Sequence, residues 1–315
     1  MTSSSFTLLE ASHWTDYALL DSGDGLKLER FGNYVFVRPE SQAMWKRSLN
    51  NEWKNAHAVF QPTGEESGGH WDFKKKVEER WEMRYVLDPS VTPTPSPIGR
   101  GELKFWAMTT PGRHLGVFPE VAAHWDWFSS LIQHEGHKGH DVNILNLFGY
   151  TGLATLAAAS AGAKVTHVDA SKKSVSWARE NQALSDLTDK PIRWIVDDAL
   201  KFVQREARRG VKYDGIILDP PKFGRGPKGE VWEVYKSLPS LFEACRACLS
   251  DKPLFVVTTL YAVRASAIHV AQAMEDMMSR FGGKIEMGEL VTREQSAGRL
   301  LSQAVYARWE NKVEG

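Results

Sequence analysis

Hydrophobic and polar residues alternate one by one in three early stretches: GLKLERFGNYVFVRP (25–39), VEERWEMRYVL (77–87) and GELKFWAMTT (101–110). Period-two alternation interrupted by Gly-Asn and Pro predicts strands and hairpins. From about residue 140 the pattern changes. Short, nearly continuous apolar runs now recur: VNILNLF, KVTHVDA (164–170), IRWIVDDA (192–199), YDGIILD (213–219), LFVVTTL (254–260), KIEMGELV (284–291) and LSQAVYARW (301–309). Helical stretches at 152–161, 171–184, 199–209, 231–250 and 264–280 separate the first six. Apolar strands alternating with helices predict a parallel sheet covered on both faces. Only TREQSAGRL joins the last two runs. It is too short for a helical crossover, so that pair is expected to be antiparallel. The expected fold is α/β, with a seven-stranded, doubly wound sheet over 128–315 and a small β-rich α+β domain over 1–127.

Two stretches read as loops, the polar QPTGEESGGH (61–70) and the Pro/Ser/Thr-rich DPSVTPTPSPIGRG (88–101). Eight of the twelve tryptophans fall within residues 1–127. They are read as the filling of a small β-rich core, ahead of a base-stacking surface. With 39 basic and 39 acidic residues in 315, bulk charge gives no sign of nucleic-acid binding, and any basic surface must be local. Two cysteines exclude a disulfide scaffold. No secretory leader is read in MTSSSFTLLEASHW and no apolar run is long enough for a membrane span, so a cytoplasmic setting is expected. No metal site is expected, because Cys245-x-x-Cys248 has no second ligand pair.

In a doubly wound sheet, ligands bind beyond the carboxyl ends of the strands. Four such ends stand out. The first apolar run ends in Asn146-Leu-Phe148-Gly149-Tyr150-Thr151-Gly152. The turn lacks the third glycine of a nicotinamide-binding loop and the Gly-Lys-Ser/Thr of a phosphate loop. Gly149 is expected to take positive φ and let a ligand approach the backbone. The second run ends in Asp169-Ala170-Ser171, twenty residues after Gly149. A carboxylate there can accept from both ribose hydroxyls, and Ser171 is expected to cap the next helix. The third ends in Asp197-Asp198-Ala199. Asp198 can accept from an adenine amine or cap helix 199–209. The fourth ends in Asp219-Pro220-Pro221-Lys222-Phe223. Two prolines make a rigid loop poor in donors, suited to an amine or a base edge, with Phe223 as a stacking face.

Together, in this order and spacing, these motifs resemble class I S-adenosylmethionine-dependent methyltransferases over about 115–310. The closer resemblance is to bacterial methyltransferases of cytosine C5 or guanine N7 in large-subunit ribosomal RNA. It implies a Rossmann-like seven-stranded methyltransferase sheet with an antiparallel last strand. It implies S-adenosylmethionine as cofactor and RNA, ribosomal RNA first, as partner. GVFPEVAAHW (116–125) resembles the family segment that closes over the methionine end of the cofactor, with Phe118 and Pro119 as contacts. That segment usually carries Gln-Arg, where this chain has Val121 and Ala122.

Methyl transfer from a sulfonium needs the acceptor positioned, since the leaving group is already activated. Methylation of pyrimidine C5 also needs a cysteine nucleophile. None lies in DPPKF or at the end of the fifth run, and Cys245 and Cys248 are read as small buried helix residues. A base nitrogen is therefore the expected target, with Asp219, Pro220, Pro221 and Phe223 as the catalytic set. Lys222, Arg225 and Lys228 form a small basic patch beside it, either phosphate contacts or solvated surface. Two alternatives remain: an amine methyltransferase of proteins or small molecules, and a non-catalytic cofactor-binding scaffold.

Overall fold

The computed structural model describes residues 5–64, 68–87, 101–137 and 139–311. The loop expectations at 65–67 and 88–100 lie outside the described residues. The first part runs β1 (Ser5–Leu9), β2 (Tyr17–Gly23), β3 (Leu26–Phe31), β4 (Tyr34–Pro39), α1 (Asn51–Lys54), β5 (Ala58–Pro62), β6 (Gly69–Phe73), β7 (Trp81–Val86) and β8 (Glu102–Ala107). A 3-10 turn, Pro119–Val121, leads into α2 (Ala122–His137), then β9 (Asn143–Leu147), α3 (Leu153–Ser160), β10 (Lys164–Asp169), α4 (Lys172–Leu184), β11 (Ile192–Val196) and α5 (Ala199–Arg208). The rest is β12 (Gly215–Leu218), β13 (Phe223–Arg225), β14 (Val231–Glu233), α6 (Val234–Cys248), β15 (Phe255–Leu260), α7 (Ala267–Met278), β16 (Lys284–Arg293) and β17 (Leu300–Glu310).

The large sheet has the order β1-β16-β17-β15-β12-β9-β10-β11. Strand β17 is antiparallel to both of its neighbours, and β9 to β12 and β15 pair in parallel. The sheet therefore has eight strands where seven were expected. The extra strand is β1, which pairs in parallel with β16 from Ser5↔Glu286 to Leu9↔Leu290. Its pattern, Ser-Phe-Thr-Leu-Leu, is too short and too exposed to be read as a core strand. The remaining early strands form a five-stranded sheet, β2-β3-β4-β5-β6, and the hairpin β7-β8.

Side-chain alternation on the central strands assigns the two faces. Ile144, Ile217 and Val257 belong to one buried cluster, and Leu145, Leu147, Ile216, Leu218 and Val256 to the other. The second face is covered by α5, α6 and α7 through Phe202, Leu241, Cys245 and Met274. The first is covered by α2 and α3, and its cluster continues without a break into Trp14, Phe36, Trp81 and Phe105 of the β-rich part. Trp14, Trp81 and Trp125 are buried and none of the tryptophans is exposed. Of the eight early tryptophans, three thus sit in the core as read from the sequence and the other five are half-buried. Among the described residues no helix is long and apolar enough to cross a membrane.

Candidate active site

The carboxyl ends of β9, β10, β11 and β12 lie side by side, because these strands are neighbours and parallel. After β9, the backbone makes an unusual turn. Phe148 has φ 60°, Tyr150 φ 48° and Gly152 φ 84°. Two non-glycine residues in the left-handed region cost energy that the surroundings must supply. Gly149, expected at positive φ, is not among them. Its lack of a side chain serves packing instead. A Cβ at Gly149 would stand 2.4 Å from Cε1 and 2.5 Å from Nδ1 of His167. His167 is fully buried, and its Nδ1 bonds the Thr155 hydroxyl at 2.9 Å, which in turn accepts from Asn146 Nδ2 at 2.9 Å. Burial holds the His167 pKa down at about 3, so the ring is neutral.

Asp169 ties the turn to the next strand. Its Oδ2 accepts the Tyr150 N–H at 2.9 Å and its Oδ1 accepts the Ser171 N–H at 2.8 Å. Burial raises its pKa, and these two N–H groups oppose the rise. Each carboxylate oxygen keeps a further lone pair for a ligand hydroxyl. Ser171 caps α4 by accepting from Ser174 N at 3.1 Å. Asp198 caps α5 by accepting from Lys201 N at 2.9 Å. Asp197 accepts the Asp198 N–H at 2.9 Å and is ion-paired with Arg205. The carboxylates at this third strand end thus already have protein partners, and the exposed apolar face beside them is Val196.

Seven of the sequence-derived residues line one cavity: Phe118, Asn146, Phe148, Gly149, Tyr150, Thr151 and Asp219. Thr151 is locked there by its hydroxyl, which donates to the Gly116 carbonyl at 2.7 Å. Phe118 sits between rings, 5.7 Å from Tyr150 and 5.1 Å from Tyr261. Asp219 Oδ1 is buried with no hydrogen-bond partner. Burial first, and then the Glu120 carboxylate, push its pKa up to about 8.

Four residues here were missed by sequence reasoning. Glu120 is 7% exposed, and burial raises its pKa too. The hydroxyl of Tyr261, just after β15, is buried within reach of the Glu120 carboxylate. His124 and Trp125, on the first turn of α2, also line the cavity. Their ring nitrogens have no partner. Glu120 follows Phe118-Pro119 directly, and a charge beside an apolar pair was the available signal. Tyr261 carried none.

The loop after β12 differs from the expectation. Residues 223–233 form the hairpin β13-β14, and the next helix starts at Val234 in place of 231. The hairpin is pinned by Trp232, whose Nε1–H donates to the Pro221 carbonyl at 2.6 Å, and by Val234 N, which donates to the Lys222 carbonyl at 3.0 Å. Phe223 is 53% exposed and lies outside the cavity lining, because the hairpin turns it to solvent. Lys222 lies over its ring at 5.1 Å. Arg225 and Lys228 are exposed on the same hairpin. Cys245 and Cys248 are fully buried on the opposite face of the sheet, and burial raises both thiols, Cys248 to about 11. Neither lines the cavity. No cluster of metal-ligating side chains occurs among the described residues.

A solved structure from Agrobacterium tumefaciens, described as a SAM-dependent methyltransferase, superposes with a TM-score of 0.86 at 45% identity, covering 97% of this chain and 94% of that one. The chain belongs to the S-adenosylmethionine-dependent methyltransferases. The family model described as conserved hypothetical protein 95 matches residues 125–232, from α2 to the hairpin. A ribosomal RNA large subunit methyltransferase K/L of Shewanella is 41% identical over 75 residues, 23% of this chain and 10% of that protein. A putative methyltransferase from Streptococcus mutans, 17% identical with a TM-score of 0.66 over 95% of this chain and 76% of its own, shares the fold. The chain thus spans about a tenth of the length of the K/L relative. For this methyltransferase the described geometry fits the cofactor. The β9 turn, a carboxylate at Asp169 with its two N–H partners and a partly apolar cavity that includes Asp219 stand at adjacent strand ends.

Proposed function

We propose that this methyltransferase transfers a methyl group to a base nitrogen of RNA, ribosomal RNA being the favoured acceptor. The observation that carries the reading is Asp219. Its Oδ1 is an unused acceptor inside the cavity, next to the β9 turn, and no cysteine shares that cavity. The bound cofactor supplies a methyl group on positively charged sulfur. A nitrogen lone pair can accept it directly, whereas pyrimidine C5 requires a nucleophile this cavity lacks. Asp219 then orients the acceptor by taking one of its N–H hydrogens, and in its ionised form it can receive the proton released after transfer. Glu120 and Tyr261 complete the buried wall around it.

In this reading Phe118, Pro119, Asn146 and the turn 148–152 hold the methionine side of the cofactor, Asp169, Ala170 and Ser171 the ribose, and Asp197, Asp198 and Ala199 the adenine. The rigid Pro220-Pro221 pair supports the acceptor. Phe223 stacks on the extruded base from the hairpin, and Lys222, Arg225 and Lys228 meet phosphates. Residues 1–127 contribute on the substrate side. The names of the partial relatives support RNA as the acceptor. The test is tritium transfer from labelled cofactor to separate fractions of ribosomal RNA, protein and metabolites from cells lacking the gene. Label in the RNA fraction, on a base nitrogen, is the expected result. Label confined to protein or metabolites moves the reading to an amine methyltransferase of another acceptor. A protein that binds the cofactor and labels nothing is a scaffold.

A further inference from the structure

His124 and Trp125 open α2 beside the cavity. Both are buried, at 3% and 2% exposure. Neither nitrogen of the His124 ring nor Trp125 Nε1 has a hydrogen-bond partner. Buried polar groups are normally satisfied, and each exception costs stability until something satisfies it. Val121, which lines the cavity just ahead of them, carries no polar side-chain atom, so the side-chain donors that the start of α2 offers the cavity are His124 and Trp125. The other polar side chains of the lining include Asn146 and Thr151, whose donors are committed to Thr155 and to the Gly116 carbonyl.

The cofactor of this family presents three polar regions to a protein. Its ribose hydroxyls and adenine amine are donors. The strand ends that face them carry Asp169, Asp197 and Asp198, which are acceptors. Its methionine α-carboxylate is an acceptor only, and needs donors. An indole N–H donates and cannot accept, while a neutral imidazole donates from one nitrogen. His124 is held neutral by burial, with the Arg308 charge acting in the same direction. Its ring is fixed edge-on to Tyr306 at 5.1 Å, so its direction is set before any ligand arrives.

We propose that Trp125 Nε1 and one ring nitrogen of His124 hold the α-carboxylate of the cofactor's methionine. The inference rests on cofactor binding at the β9 turn. The methionine end then lies against the first turn of α2, and the two orphaned donors gain the partner they lack. No bond is made or broken. The role is one of binding and orientation.

Two probes separate this role from a general effect on the site. S-adenosylhomocysteine carries the α-amino acid. 5′-Methylthioadenosine has the same nucleoside and thioether sulfur without it. Calorimetric titration of both into the wild-type protein, Trp125→Phe and His124→Leu is the experiment. Both substitutions keep an apolar volume and remove the donor. Each variant should bind S-adenosylhomocysteine about tenfold or more weakly, and 5′-methylthioadenosine within about twofold of wild type. Unchanged affinity for S-adenosylhomocysteine overturns the proposal. So does an equal loss for both probes, which is the signature of a damaged site. The unsubstituted protein provides a reading free of folding effects. The indole N–H resonance missing from the Trp125→Phe spectrum should move in wild type on adding S-adenosylhomocysteine, and stay in place with 5′-methylthioadenosine. A resonance that ignores both probes while both bind also overturns it. If wild type binds neither, the cofactor assignment at the β9 turn fails first.

Discussion

Asp169 and Tyr150 are joined by a 2.9 Å hydrogen bond from the Tyr150 backbone N–H to the Asp169 carboxylate, across two neighbouring strand ends. One side chain therefore shapes the β9 turn and, in the proposed reading, also accepts from the cofactor's ribose. Tyr150 lies at φ 48°, a conformation that its own preference does not favour, and this bond is part of what holds it. Asp169→Ala should weaken cofactor binding at least about tenfold, or ~1.4 kcal/mol, with a contribution from each role. Calorimetry is the check. A folded variant with wild-type affinity would remove Asp169 from the site.

The contact between Gly149 and His167 gives a second expectation. Gly149→Ala puts a methyl group within 2.4 Å of the His167 ring, which is buried and pinned by Thr155. Overpacking of this kind costs ~1–3 kcal/mol. Urea denaturation should register that loss. Adding His167→Ala should cost less than the sum of the two single changes, since it removes the ring that the new methyl group strikes, and that methyl group fills part of the space the ring leaves. Strict additivity would show that the glycine is there for another reason.

The catalytic-side sheet was readable because its strands are short apolar runs and its helices are long and periodic. All five expected helices and seven expected strands are present, with ends shifted by a few residues. Strand β1 was not readable. Phe6 and Leu8 are half-exposed on a sheet edge, and their pairing partner lies some 280 residues away in β16. The hairpin 223–233 read as a loop because Gly224, Gly226 and Gly229 punctuate it. What holds it is a side-chain contact that no residue pattern marks: Trp232 reaching back to Pro221. At the site, the acidic strand ends announced themselves as residue types in a fixed order. The orphaned ring nitrogens of His124 and Trp125 did not, since a helix start rich in aromatics reads as core. Gly149 was legible as a required glycine, but the reason, a buried histidine from the next strand, needs the fold.

Cys245 and Cys248 should be dispensable for turnover. They lie in α6 against the face opposite the cavity, and both thiols are held protonated by burial. The double Ser substitution should keep single-turnover transfer near wild type. Thermal denaturation should show a loss of ~1–3 kcal/mol or more, from hydroxyls placed in an apolar core. Loss of transfer with fold and cofactor affinity intact would restore a covalent cytosine mechanism.

Phe223 makes the opposite prediction to a core aromatic. At 53% exposure its truncation leaves little cavity, so Phe223→Ala should change stability by no more than ~0.5 kcal/mol. Its effect should appear in acceptor binding, at ~1–3 kcal/mol for one stacked base. RNA affinity equal to wild type in this variant would leave Phe223 an ordinary hairpin residue.

Asp219 gives the clearest pH dependence. Its ordinary value is 3.8, and burial with the nearby Glu120 carboxylate raises it to about 8. The folded state thus keeps a proton that the unfolded chain has released. The stabilisation from this group is complete below 3.8 and is lost as pH rises through about 8. Asp219→Asn should remove that slope, so the melting temperatures of variant and wild type should converge at low pH and separate in the variant's favour as pH rises. Transfer runs the other way, because only the ionised carboxylate can take the acceptor's proton. The single-turnover rate should therefore rise with pH, with a midpoint below about 8, since the positive sulfur of the bound cofactor favours the carboxylate. Asp219→Asn should be slow at every pH and lose this rise, while cofactor affinity stays within a few-fold. Affinity lost in step with rate would instead assign Asp219 to the methionine ammonium, and the acceptor would then have to be oriented by Glu120 and Tyr261.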